Sequence, residues 1–146
     1  MSSIEPGQIA DRLEIAELVN CYALHIDLHE ISQWVDLFTE DAFFDEREFD
    51  TGLHVGHAAI RAYGDLLAET VAHVVHLMSN LVIRNLSAST ANGVVFASVD
   101  AQMKTGERQR WQVRYEDDYV KTDAGWKFAR RILRRGLPPE DIGISG

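Results

Sequence analysis

The order in which two hydrophobic periodicities follow each other constrains the fold of this chain most. Up to about residue 70, apolar residues recur every three or four positions, and after it β-branched and aromatic residues form clusters, many of which alternate with polar residues. The first spacing is typical of amphipathic helices and the second of half-buried strands. Helices followed by a run of strands predict an α+β domain, with the helices packed on one face of a curved antiparallel sheet.

A long first helix is predicted from two adjacent apolar lines in the N-terminal segment. One line comprises Ile9, Leu13, Ala16, Val19, Ala23 and Ile26, and the other comprises Ile15, Leu18 and Tyr22. Together they make a wide apolar stripe, so we expect this helix to lie across a broad surface such as a sheet. Asp11 and Glu14 have the spacing of a capping box, which predicts that the helix begins near Asp11.

The other elements follow from the same patterns. Residues 32–38 predict a short helix, 42–44 a short strand, 50–56 a loop, and 58 to about 70 a third helix. Four long antiparallel strands are then expected, separated by breaks at 85–93, 105–106 and 123–125. Consecutive prolines cannot donate to a strand ladder, so we expect residues 136–146 to be a tail of the single domain 1–146.

Composition limits the classes of protein to which the chain can belong. Its 146 residues suit one domain, and its 46% apolar and 25% charged residues are typical of globular proteins. A single cysteine, Cys21, excludes an intrachain disulfide and a multi-cysteine metal site. No segment has the pattern of a signal peptide or of a membrane span, and we therefore expect a soluble cytoplasmic protein that does not bind membranes.

The charge distribution argues against nucleic acid as a partner. The net charge is −9, although residues 104–135 alone hold 10 basic and 5 acidic side chains. These basic residues are spread through alternating strand-like sequence, and the negative field of the whole domain would repel phosphates. We therefore expect no nucleic-acid binding.

The six histidines do not predict a metal site. His25 and His29 are four residues apart near the end of the first helix, but the glutamate of a His-Glu-x-x-His motif is missing. His73 and His76 are three apart in strand-like sequence, so only one of them can face the interior. We expect no metal and no other cofactor.

Asp27 is the carboxylate for which we most expect a partner elsewhere in the fold. It lies near the C-terminal end of the first helix, where the helix dipole disfavours negative charge. Tyr22 is on the same helix, about 140° away, so both side chains could border one cavity. From the residues alone, an ordinary core tyrosine and a surface aspartate remain the simpler interpretation.

Five segments together resemble the SnoaL-like branch of the NTF2-like superfamily. They are residues 11–27 (DRLEIAELVNCYALHID), 34–42 (WVDLFTEDA), 76–83 (HLMSNLVI) and the pair 115–119 and 125–131 (YEDDY and GWKFARR). The resemblance covers about residues 8–135. It implies a cone-shaped domain in which a bent antiparallel sheet wraps around the long first helix and leaves an apolar pocket.

Within that branch, the chain is most similar to the scytalone dehydratase, bile-acid dehydratase and hexachlorocyclohexane dehydrochlorinase group. The resemblance implies that Asp27 orients His76, which removes a proton next to a leaving group. Tyr22 matches the dehydratases, where the dehydrochlorinase has a lysine, and Arg131 falls at the position of a pocket arginine. Phe38, Phe44, Met78 and Val113 are the expected apolar wall, although they suit a core equally well.

These residues indicate a cofactor-independent lyase or isomerase, dehydratase-like, acting on a small hydrophobic, ring-containing molecule. Two other functions remain open on the same fold, since fold does not determine function. One is a non-catalytic binding or assembly subunit, like the small subunits of ring-hydroxylating dioxygenases, and the other is a polyketide cyclase-like enzyme. The resemblance also implies a homo-oligomer built on the outer face of the sheet, with a trimer preferred to a dimer.

Overall fold

The computed structural model describes residues 4–138 and 140–144. The helical segments are a 3₁₀ turn at Pro6–Gln8, α1 at Ile9–Asp27, α2 at Ile31–Val35, a 3₁₀ turn at Arg47–Phe49 and α3 at Gly56–Thr70. The strands in this part of the chain are β1 at Phe38–Asp45, β2 at Leu53–Val55, β3 at Val71–Leu86, β4 at Thr90–Met103, β5 at Glu107–Thr122, β6 at Gly125–Arg135 and β7 at Glu140–Ile144. The predicted α+β class, with a curved sheet around the first helix, is confirmed.

The strands form one unclosed sheet in the order β2-β1-β6-β5-β4-β3, with β7 beside β5. The four long strands β3 to β6 are antiparallel in succession, as the sequence predicts. β1, however, pairs with β6 in the parallel direction, so the sheet is not purely antiparallel. β1 and β3 therefore lie far apart in the sheet, and only its curvature can bring them to one cavity.

Irregular pairing bends the sheet. The register of β3 against β4 shifts at three places, one of them between Ser79 and Val82. Asn80, in this interval, has a φ of 56°, in the left-handed region. Extra residues of this kind kink a strand and increase its twist, which lets the sheet curve around α1.

The buried side of α1 holds Ile15, Leu18, Val19, Tyr22, Ala23 and Ile26. Ile9 and Leu13 are 50% and 66% exposed, so their predicted burial is wrong. The capping box is also wrong, because α1 begins at Ile9 and Gln8 makes no side-chain cap bond. Asp11 instead accepts hydrogen bonds from Lys121 Nζ at 2.8 Å and Trp126 Nε1 at 2.9 Å, and thus faces the β5–β6 hairpin. Ile9 and Leu13, each two residues from Asp11, consequently point away from it.

Several boundaries also differ from the prediction. The segment expected as a tail contains β7, whose residues pair with β5 from Glu107 to Arg110, beyond the part of β5 that pairs with β6. The side chains of residues 140–142 and 144 lie outside the described ones, as do residues 139, 145 and 146. No helix in the described ranges combines the length and the apolarity needed to cross a membrane.

Candidate active site

Asp27 and His76 form a two-point hydrogen-bonded pair. Asp27 is the last residue of α1, and its Oδ2 accepts the backbone N–H of His76 at 2.8 Å. Its Oδ1 lies 2.6 Å from Nδ1 of the His76 ring. One carboxylate thus fixes both the backbone and the imidazole of His76.

This bonding determines which ring nitrogen of a neutral His76 carries the proton. A carboxylate can only accept, so the imidazole donates from Nδ1 and Nε2 keeps its lone pair. Within the described part of the chain, Nε2 makes no hydrogen bond. The His76 and Asp27 side chains are 11% and 18% exposed, so both are shielded, and His76 lines the cavity described below.

Local structure explains why these two residues meet. Beyond Asp27 the chain turns sharply, and His29 adopts a left-handed φ of 57° that ends the helical path. On β3, His76 is half-buried and His73 is exposed, which confirms that they face opposite sides of the sheet. The alternation of β3 therefore delivers His76 to the carboxylate at the end of α1.

A cavity of about 450 Å³ lies beside the pair. Most of its wall is apolar and includes Ile26, Leu67, Val74, Val99, Trp111 and Leu133. Its polar members include His76, Tyr22, Glu46, Thr51 and Tyr63. An apolar wall with a few convergent polar groups is the usual form of a small-molecule site.

The residues that line the cavity are not all those expected from the sequence. Val113 lines the cavity, but Phe38, Phe44 and Met78 do not. Phe38 and Phe44 are fully buried, because Tyr22 lies against both rings at centroid distances of 6.2 and 6.3 Å. Met78 faces inward on β3 but packs against the hydrophobic core. These three residues support the site from within the core.

Tyr22 lies at the inner end of the cavity. It is 3% exposed, and its ring meets that of His76 edge-on, with the centroids 6.0 Å apart. Burial raises the pKa of Tyr22 well above its ordinary value. The hydroxyl therefore stays protonated and can donate a hydrogen bond into the cavity.

Arg131 lies behind the cavity wall and is not part of its lining. Its side chain and that of Asp117 have no exposed surface, and Nε and Nη2 donate to the two Asp117 oxygens at 2.8 and 2.9 Å. The guanidinium carbon is 4.1 Å from the ring centroids of Tyr22, Tyr115 and Phe128. The expectation of a pocket arginine that holds a leaving group is corrected here, because Asp117 and these rings surround it.

The charge of Arg131 is secured by its partner. Burial on its own lowers the pKa of Arg131, but the charge and hydrogen bonds of Asp117 outweigh this and raise it overall. A permanent positive charge thus lies against the faces of two tyrosines at the end of the cavity.

Glu46 is a cavity residue to which our sequence analysis assigned no role. It follows β1 directly, is 7% exposed and lines the cavity. Thr51 Oγ1 donates to Glu46 Oε2 at 2.9 Å, and the interaction with the Tyr63 side chain lowers the pKa of this carboxyl group. The sequence holds a signal for this position, because Ala42, Phe44 and Glu46 continue one inward alternation. The signal is weak, because all four residues from 45 to 48 are charged and such a run is typical of an exposed segment.

The histidines outside the cavity pair do not assemble a metal site. His25 Nδ1 is bonded to Glu30 at 2.7 Å, and His57 Nε2 to the carbonyl oxygen of Phe38 at 2.8 Å. Among residues 4–138 and 140–144, no three His, Cys, Asp or Glu side chains are arranged to hold a metal ion.

Comparison with known proteins places this geometry in a family. A family model described as a SnoaL-like domain matches residues 7–132. The chain belongs to the SnoaL-like family. A Mycobacterium tuberculosis protein described as uncharacterised is 28% identical over 137 residues, which cover 90% of this chain and 89% of the relative.

Solved structures share the SnoaL-like fold over almost the whole chain. A candidate aromatic ring hydroxylase from Novosphingobium aromaticivorans has a TM-score of 0.88 at 29% identity, and 91% of this chain and 94% of that one are covered. A candidate scytalone dehydratase from the same species has a TM-score of 0.83 at 21% identity, with 95% and 92% covered. A hexachlorocyclohexane dehydrochlorinase from Novosphingobium barchaimii has a TM-score of 0.79 at 20% identity, with 95% of both chains covered. At 20–21% identity, the last two show the fold alone.

In this SnoaL-like domain, two of the four expected catalytic residues, Tyr22 and His76, line one cavity. Asp27 and His76 are hydrogen-bonded, and Tyr22 lies against the His76 ring. Arg131 is near but enclosed, and Glu46 joins the group from the opposite part of the sheet. The arrangement can remove a proton and can donate hydrogen bonds inside an apolar space.

Proposed function

We propose that this protein is a cofactor-independent lyase that removes a proton and a neighbouring leaving group from a small hydrophobic, ring-containing substrate. The observation that carries the proposal is the Asp27–His76 pair beside the apolar cavity. Proteins with the same fold include one described as a candidate dehydratase and one described as a dehydrochlorinase, so the fold is compatible with this class of reaction.

His76 is the general base in this mechanism. Its Nε2 takes a proton from substrate carbon, and the electron pair of that C–H bond forms the new double bond as the leaving group departs. Asp27 holds the ring through Nδ1 and stabilises the imidazolium that forms. Because the surroundings are largely apolar, this charge interaction is stronger than it would be in water.

Tyr22 and Arg131 assist from the inner end of the cavity. The Tyr22 hydroxyl donates a hydrogen bond to a substrate oxygen, because burial keeps it protonated. Arg131 acts through the rings of Tyr22 and Tyr115, because its positive charge lies against their faces. This charge stabilises negative charge that develops on a substrate oxygen bonded to their hydroxyls. Arg131 is therefore a positioning residue.

The cavity supports the proposed class of substrate. Its volume of about 450 Å³ is within the range of small-molecule sites, and its wall is mostly apolar. A molecule with one or two rings fills such a space, and an acidifying group such as a carbonyl is needed before imidazole can remove a carbon-bound proton. The same proton removal without loss of a leaving group would be an isomerisation.

A second candidate function is a non-catalytic assembly subunit. The 29% identical relative from N. aromaticivorans is described as a candidate ring hydroxylase, and this favours a role beside an oxygenase. In that case the isolated protein would bind ring compounds without changing them.

Two variants test the proposed function. After thermal-shift screening of cyclic ketones and hydroxyketones, proton removal is followed by NMR as deuterium uptake next to the carbonyl of a bound ketone. His76→Ala and Asp27→Asn should slow exchange and turnover by roughly 10²–10⁴-fold. His73→Ala is the matched control, because His73 lies on the outer face of the same strand. If His76→Ala exchanges at the wild-type rate, the mechanism is wrong, and if no wild-type exchange occurs, the assembly role is favoured.

A further inference from the structure

The Glu46 side chain is a buried acid that the proton-removal mechanism does not use. Glu46 lines the same cavity as His76, but it follows β1, whereas His76 is on β3. Three strands, β6, β5 and β4, separate β1 from β3 in the sheet. The curvature of the sheet therefore presents an acid and a base to one cavity from separate walls.

The Glu46 carboxyl group is held by the neighbouring Thr51 and interacts with Tyr63. The Thr51 hydroxyl donates to Oε2 at 2.9 Å, and the interaction with the Tyr63 side chain lowers the pKa of the same carboxyl group. The His54 ring stacks on Tyr63 at a centroid distance of 4.1 Å and an interplanar angle of 11°. A side chain held in this way is preorganised toward the cavity.

The backbone of this segment does not depend on the Glu46 side chain. The Glu46 N–H donates to the Gly52 carbonyl oxygen at 2.8 Å, and the Glu46 carbonyl oxygen accepts from the Phe49 N–H at 2.9 Å. These bonds close the turn before β2. The carboxyl group is thus not required for the path of the chain, which leaves its burial at the cavity to be explained.

The surroundings favour the protonated form of Glu46. Burial raises the pKa of Glu46, and interactions with Tyr63, Thr51, His76 and Arg131 oppose this rise only in part. From α1 and β5, the groups that face it are the hydroxyls of Tyr22 and Tyr115, which are un-ionised because burial raises their pKa values. Arg131 is already paired with Asp117.

We propose that Glu46 is the general acid of the site and donates its proton to an oxygen leaving group while His76 removes the carbon-bound proton. This inference rests on the proposed lyase function and adds the identity of the acid and the kind of leaving group. A hydroxyl departs poorly as hydroxide and well as water, so it needs a proton donor. A halide departs as a stable anion and needs none.

The step balances within the site. His76 Nε2 takes the proton, the C–H electron pair becomes the carbon–carbon double bond, and the C–O bond breaks as its oxygen receives the Glu46 proton. The products are an alkene and water, with Glu46 ionised and His76 protonated. One proton then passes from His76 to Glu46 through solvent, and both groups return to their starting forms.

The first experiment looks for the proton without any substrate. Infrared difference spectra of wild type minus Glu46→Gln, recorded near neutral pH, should contain the C=O stretch of an un-ionised carboxylic acid. Glu48→Gln is the matched control, because it removes a neighbouring carboxyl group that is 37% exposed and lies 3.5 Å from the Arg134 guanidinium. A difference spectrum that contains only ionised carboxylate bands would overturn the proposal.

The second experiment compares two leaving groups on one ring. A cyclic β-hydroxyketone and its acetate ester have the same acidic C–H, but acetate leaves without a proton. Glu46→Gln should slow loss of the hydroxyl by roughly 10²-fold or more and hardly change loss of acetate. Equal slowing of both substrates would mean that Glu46 only shapes the site, and the proposal would fail.

A matched variant separates this proposal from the proposed function. His76→Ala should slow both substrates equally, and if it slows neither, the lyase mechanism fails even where the Glu46 effect remains.

If neither substrate turns over, the infrared result and ligand affinity test whether Glu46 holds a proton that it can donate to an oxygen. Cyclohexanol should bind wild type more tightly than chlorocyclohexane, and Glu46→Leu should lose this preference, weakening cyclohexanol about three- to tenfold. An unchanged preference in Glu46→Leu would also contradict the proposal.

Discussion

Behind the site, the buried ion pair of Arg131 and Asp117 is the feature that we expect a single substitution to disturb most. Both side chains have no solvent-exposed surface, and Tyr119 adds a hydrogen bond to Asp117 Oδ2 at 2.9 Å. Taking two charges out of water costs several kcal/mol each, and good geometry only repays that cost while both partners are present. The pair therefore stabilises the fold only as a unit.

We predict that Arg131→Met destabilises the protein by about 3–5 kcal/mol, because it leaves the Asp117 carboxylate buried without its partner. Urea unfolding followed by circular dichroism measures the loss. Arg110→Met is the control, because Arg110 and Asp100 form a pair whose side chains are about 40% exposed and should contribute roughly 0–1 kcal/mol. If the two variants lost the same free energy of unfolding, the burial of the ion pair would not be the cause of the destabilisation.

The sequence could predict part of the site residue by residue. Asp27, His76 and Tyr22 fall in ordered motifs of a recognised family, so their meeting was expected before the structure was known. The enclosure of Arg131 was not, because it depends on the register that sets Asp117 opposite Arg131 across the β5–β6 hairpin. Glu46 was missed because a carboxylate in a charged run is ordinarily solvated, and only the curvature of the sheet buries it.

At the scale of elements, the hydrophobic period predicts whether a segment is a helix or a strand better than it predicts where that element begins and ends. The sequence predicts a break at 85–93, but β3 runs from Val71 to Leu86 and β4 already begins at Thr90. Ser79 and Asn80, which interrupt the apolar residues of β3, are exposed and lie where the pairing with β4 is irregular. The parallel β1–β6 pairing joins Phe38 to Phe128, and no local pattern reports a contact between residues so distant in sequence.

The close approach of β3 and β4 at Gly93 gives a prediction about one element. A Cβ on Gly93 would lie 2.6 Å from the Val82 carbonyl oxygen and 3.3 Å from the Ile83 Cα. Since both atoms belong to backbone, the strands would have to separate, and we expect Gly93→Ala to cost about 1–3 kcal/mol. Chemical denaturation compares it with Gly7→Ala, whose added Cβ meets nothing within 4 Å. If both substitutions have the same effect, the strands can relax at this position.

At the scale of the whole molecule, the two faces of the sheet have different roles. The inner face and α1 enclose the core and the cavity, while the outer face of β3 and β4 carries an exposed apolar group of residues, which we call the outer patch. It comprises Val75, Leu77, Val82 and Phe96, which are 42–63% exposed. Large apolar residues gathered on one exposed face usually mark a contact surface.

We propose that a second copy of this chain covers the outer patch, and we expect a trimer in preference to a dimer. Symmetric assemblies of identical chains are the commonest oligomers, and the neighbouring β5 arginines at 110 and 114 are paired with acids of the same sheet, so the rim of the patch is not strongly charged. Light scattering after size exclusion, at several concentrations, should give three times 16.5 kDa. Leu77→Lys should yield monomers, whereas Leu66→Lys should not, because Leu66 is similarly exposed but lies on α3. A wild-type monomer at all concentrations, or dissociation by Leu66→Lys alone, would contradict the assignment of this face.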